Sequence, residues 1–121
     1  MPVRSSTSSV LKWPEAEQVR AAASAWAAHE AGARVGLIAL GYFGSYARGE
    51  AGVGSDLDLV AIVADSDQPF ESRGAAWALE TLPVPAEILV YTQREWNSLL
   101  ERGGRFAESL RSEAVWLAGA P

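Results

Sequence analysis

Gly41-Tyr42-Phe43-Gly44-Ser45-Tyr46-Ala47-Arg48-Gly49-Glu50-Ala51-Gly52-Val53-Gly54-Ser55-Asp56-Leu57-Asp58-Leu59 decides how this chain is read. Five of the chain's eleven glycines fall here, so this is where the backbone is freest to turn. An apolar run closes on Gly44-Ser45, and ten residues later Asp56 and Asp58 stand at the mouth of a second apolar run. The order predicts a strand, a glycine turn, a short helix over 45–49, a loop and a strand that carries carboxylates.

The chemistry of that order is specific. Backbone N–H groups at a tight turn that enters a helix are ready phosphate donors. Glycine permits the close approach, and the Ser45 hydroxyl adds a donor. Asp56 and Asp58 are spaced i, i+2, which on a strand places both side chains on one face. Two carboxylates that close disfavour one another's ionisation unless a cation lies between them, and a hard divalent ion with oxygen ligands is the natural occupant. A Gly-Ser pair alone is usually just a turn, and Asp-x-Asp alone is usually a solvated strand edge. Together they would bring a triphosphate and its metal into one cleft, the arrangement that phosphoryl or nucleotidyl transfer needs.

Working outward, Trp13-Pro14-Glu15 reads as a helix start, with the helix over 13–31 and its stop at Gly32. Val19, Ala22, Ala23, Trp26 and Ala27 form its apolar face. Residues 34–43 read as the first strand, in which Gly36 or Gly41 marks a bulge or a close approach. Residues 57–64 read as the second strand, 70–82 as a helix and 86–91 as the third strand. Thr92 with Glu95 forms a capping box for a helix over 93–102. Gly103-Gly104 breaks it, and 106–117 reads as a last helix with Phe106, Leu110 and Leu117 inward. The expected architecture is a small α/β (α+β) domain, a mixed sheet of three to four strands with helices packed mainly on one face.

Glu87 is the only acid in the third strand, and from a strand beside Asp58 it would supply a third carboxylate. Arg48, three residues after Ser45, would turn back to the polyphosphate. Arg73 reads as a surface charge, Asp65 and Asp67 as loop residues, Glu95 as a cap and His29 as a helix-end residue. The five tryptophans read as core or partner-surface residues.

Length and composition bound these readings. At 121 residues there is room for one domain, 13–121, behind a loose Ser/Thr-rich tail at 1–12. No run of about 18 apolar residues is present, and Arg4 is not followed by the apolar stretch of a secretory signal. The chain has no cysteine, which rules out disulfides and thiolate metal sites and allows a reducing compartment. A net charge of −5 argues against an extended nucleic-acid surface.

Phe43-Gly44-Ser45-Tyr46-Ala47-Arg48-Gly49 followed by Ser55-Asp56-Leu57-Asp58-Leu59 resembles the DNA polymerase β-like nucleotidyltransferase superfamily, and the short chain looks like its minimal members, the antitoxins that act beside a HEPN-domain ribonuclease toxin. The resemblance covers about residues 35–91. It implies that Gly44 and Ser45 bind phosphate and that Asp56 and Asp58 bind Mg²⁺, with Glu87 where many members have Asp. It further implies a cytoplasmic protein that transfers AMP from ATP to a tyrosine of the toxin. Two other outcomes fit the same residues: an antitoxin that neutralises its partner by contact alone, and a transferase acting on a small molecule of the aminoglycoside type.

Overall fold

A computed structural model describes residues 13–121; the tail expected at 1–12 lies outside the described residues. The chain runs through α1 (Ala16–Ala33), β1 (Leu37–Phe43), the one-turn α2 (Ser45–Arg48) and β2 (Leu57–Val63). Two 3₁₀ segments follow, Phe70–Ala76 and Leu79–Thr81, then β3 (Ala86–Thr92), α3 (Gln93–Arg102), α4 (Arg105–Glu113) and β4 (Val115–Gly119). The sheet order is β3-β2-β1-β4, with β1 antiparallel to β2 and β4, and β2 parallel to β3. The sheet is therefore mixed and four-stranded, as expected.

The strands have apolar residues on both faces, so both faces must be covered. One core joins Val19, Ala23, Trp26 and Ala27 of α1 to Leu40 of β1, Leu57, Leu59 and Ala61 of β2, and Trp77. The other joins Ala39, Val60 and Ile62 to Trp96 of α3 and Leu110 of α4. Helices thus pack on both faces rather than mainly on one. The tryptophans serve these cores: Trp26 and Trp77 meet at 5.9 Å on one side, Trp96 and Trp116 at 5.7 Å on the other.

Two expected helices change character. The stretch expected as a helix over 70–82 forms two 3₁₀ segments instead. Gly74 lies against Ile88 of the edge strand, where a Cβ would stand 3.3 Å from the Ile88 Cγ2, and Arg73 is buried. Its guanidinium donates to the carbonyls of Gln68 and Val90 and pairs with Glu95, so Arg73 seals this segment to β3 instead of lying on the surface. The helix expected over 106–117 ends at Glu113, and Val115–Gly119 extends as the fourth strand. Phe106, expected to point inward, is 46% exposed. Thr92 and Glu95 form the anticipated capping box, and His29 is exposed near the end of α1. Among the described residues no helix is long and apolar enough to cross a membrane.

Candidate active site

The site is built at the end of the sheet where β1 stops and β2 and β3 begin. Leu57 N donates to Pro85 O at 2.9 Å, which sets the parallel register of β2 on β3. That register places Asp58 opposite Glu87. On its other side Asp58 is opposite Phe43, the last residue of β1. Glu87 is exposed and Asp58 half-buried. Asp56 precedes the strand at the end of a loop closed by Ser55 N to Gly52 O and by Gly52 N to the Ser55 hydroxyl, 3.0 and 2.9 Å. The Tyr46 hydroxyl donates to Ser55 O from beneath that loop.

Gly44 is the hinge of the site. Its backbone, at φ 75° and ψ −149°, is in a region open to glycine almost alone. A Cβ there would stand 2.3 Å from Asp58 Oδ2, so the turn and the carboxylate are in direct contact. The Gly44 carbonyl accepts from the amides of Ala47 and Arg48, which closes the turn, and helix geometry leaves the Ser45 and Tyr46 amides to an outside acceptor. The Ser45 side chain is half-buried and makes no hydrogen bond among the described residues.

Burial holds the Asp58 carboxyl above its usual range, and the charges of Glu87 and Asp56 add to the effect; Arg48 opposes it. The three acids therefore share one electrostatic neighbourhood. A hard divalent cation fits this donor set, which is oxygen only, negatively charged and partly desolvated. Among the described residues no three acidic or histidine side chains close around a single point. The fit is one of donor chemistry and register.

Arg48, expected to turn back to the polyphosphate, is engaged elsewhere. Its Nε donates to Glu50 at 2.9 Å and its Nη1 to Glu113 at 3.2 Å. These carboxylates hold the guanidinium above its usual range, the Glu50 hydrogen bond contributing most. Glu113 was invisible as a site neighbour in the sequence, because it lies 65 residues from Arg48 and only the end of α4 brings it there.

With the geometry in place, the family model gives the class. Residues 28–114 match the family model of the nucleotidyltransferase domain, and the chain belongs to that family. No curated protein matches the chain. Among solved structures it is similar to a protein from Sulfolobus solfataricus described as a nucleotidyltransferase, at 16% identity and a TM-score of 0.57, covering 88% of this chain and 89% of that one. It is also similar to a toxin–antitoxin structure with AMP-PNP, at 14% identity and a TM-score of 0.46, covering 88% of this chain and 75% of that one.

Proposed function

We propose that the chain transfers AMP from ATP to a hydroxyl of a partner protein, using Mg²⁺ held by Asp56, Asp58 and Glu87. The observation that carries this reading is the pairing of Asp58 with Glu87 across β2 and β3, directly against the Gly44 turn. Gly44 and Ser45 bind the β- and γ-phosphates through the turn amides and the Ser45 hydroxyl. A bound Mg²⁺ would supply charge neutralisation for the bound triphosphate and for the pyrophosphate that departs from it. The acceptor hydroxyl attacks the α-phosphorus in line. A new O–P bond forms, the bond from the α-phosphorus to the bridging oxygen breaks, pyrophosphate departs, and the hydroxyl proton passes to Glu87, the base this reading assigns. Arg48 would reach the polyphosphate only by leaving Glu50 and Glu113. The acceptor we favour is a tyrosine of a cytoplasmic HEPN-domain ribonuclease toxin, on the resemblance of the Gly-Ser and Asp-x-Asp motifs to the antitoxin branch.

The test is transfer of label from α-³²P-ATP to a co-expressed HEPN partner, with and without EDTA. Wild type should label the partner, while the Asp56→Asn, Asp58→Asn double variant should lose at least a hundredfold. Equal labelling by both proteins would remove the catalytic assignment.

A second reading is favoured by the engagement of Arg48 and by carboxylates that do not meet at one point. On that reading the chain neutralises its partner by contact alone. The same double variant then still binds the partner and still protects cells, and loss of protection with binding intact decides against it.

A further inference from the structure

A row of side chains crosses one face of the sheet at the level of the acids. Asp58 is opposite Glu87 on β3 and opposite Phe43 on β1. Cross-strand partners share a face with Cβ atoms about 5 Å apart, so the Phe43 ring borders the carboxylate row. Phe43 in turn meets Phe106 of α4 edge to face, with ring centroids 6.1 Å apart and planes at 81°. Phe106 is the most exposed aromatic residue among the described residues.

The helix that presents this ring is anchored. Leu110 is fully buried in the core beneath α4. At its end Glu113 accepts from Arg48, which ties α4 to the residue that closes the phosphate turn. Phe106 is thus held on a fixed element, its ring crossing that of Phe43 and much of its surface open, on the side of the acid row away from Glu87.

We infer that Phe106, backed by Phe43, is the platform on which the base of the nucleoside triphosphate stacks. This rests on the proposed nucleotidyl transfer and adds the nucleoside subsite to it. Phosphates bound at Gly44-Ser45 and metal bound at the acids leave the base to be placed, and a planar π-face beside them provides for it. Stacking accepts any base, because every base has a π-face. The subsite therefore gives affinity for the nucleoside without choosing sharply among ATP, GTP and the pyrimidine triphosphates.

Calorimetric titration of the full chain with ATP and with inorganic tripolyphosphate, both with Mg²⁺, separates the subsite from the phosphate turn. Wild type should bind ATP more tightly than tripolyphosphate. Phe106→Leu, which keeps an apolar contact on Phe43 but has no π-face, should lose roughly 5- to 100-fold in ATP affinity, the range of one lost base–aromatic stack. Its tripolyphosphate affinity should not change, and Phe106→Trp should retain the ATP affinity. If Phe106→Leu binds ATP as wild type does, or if wild type binds the two ligands equally, the platform is wrong while the phosphate site stands. If wild type binds neither ligand, the platform and the proposed nucleotidyl transfer fall together.

Discussion

Gly44 and Asp58 are a matched pair of residues. Any side chain at Gly44 would both strain the backbone and strike the Asp58 carboxylate, 2.3 Å from the added carbon. Gly44→Ala is expected to destabilise the fold by about 1–3 kcal/mol in urea unfolding, the cost of a backbone region closed to other residues. It should also abolish nucleotide binding; a variant of wild-type stability and affinity would separate the turn from the acid. Asp58 makes a prediction of opposite sign. Its carboxyl titrates above the ordinary range because burial and its acidic neighbours disfavour the charged form. Stability from that shift is present below the unfolded-state value and is lost as pH rises through the folded-state value. In metal-free buffer at pH 7, Asp58→Asn should therefore melt above wild type, and the gap should vanish near pH 3. Mg²⁺ should raise the melting temperature of wild type more than that of the variant. A lower melting temperature for Asp58→Asn in EDTA would contradict this account.

At the scale of elements, two close contacts organise what local pattern did not show. The first is the 3₁₀ segment Phe70–Ala76 on β3, fastened by Arg73 and Glu95. The Arg73 hydrogen bond, aided by the Thr92 amide, lowers the Glu95 carboxyl to about 2 from 4.5. That stabilisation is present above about pH 4.5 and lost as pH falls towards about 2. Glu95→Gln should cost about 1 kcal/mol at pH 7, a low figure because the carboxylate is 40% exposed. The difference from wild type should shrink across that acid window, and a gap that does not change with pH would rule out the ion pair as its source. The second contact is β4 on β1. A Cβ at Gly41 would stand 2.4 Å from Val115 O, beside a bulge in the β1–β4 register. Gly41→Ala should cost about 1–3 kcal/mol by overpacking, with the amide-exchange protection of β4 falling first. Unchanged protection there would show that the strand has room to move.

For the molecule as a whole, β1 and β2 contribute to both cores, so neither face can come apart while the other stays packed. The two tryptophan pairs report on opposite faces. Urea unfolding followed by tryptophan fluorescence and by far-UV circular dichroism should give one coincident transition. Two midpoints would mean that the face built by α3 and α4 melts independently. This shared sheet is also what makes the site one object. β1 leads into the turn, β2 carries Asp58 with Asp56 just before it, β3 carries Glu87, and the strand registers hold Asp58 and Glu87 side by side at one end of the sheet.

The local residues by themselves determined much of the centre. Gly44-Ser45 after an apolar run, and Asp56 and Asp58 before another, were legible because a turn and a period-two strand are short-range consequences of residue type. The Thr92–Glu95 cap was legible for the same reason; a close approach at Gly36 or Gly41 was legible too, and the fold assigns it to Gly41. What the tertiary structure decided depended on long-range contact. Val115–Gly119 is too short an apolar run for periodicity to separate strand from helix, and only the free edge of β1 makes it a strand. Residues 70–82 have the composition of a helix, but packing against Ile88 and the buried Arg73 impose a tighter turn. Arg48 looked free to meet phosphate until α4 brought Glu113 to it. Phe106 reads as core from its apolar type, but in the first turn of α4 its ring lies half open against Phe43. Local pattern specified the candidate groups; packing decided which of them, and which neighbours, lie together at one end of the sheet.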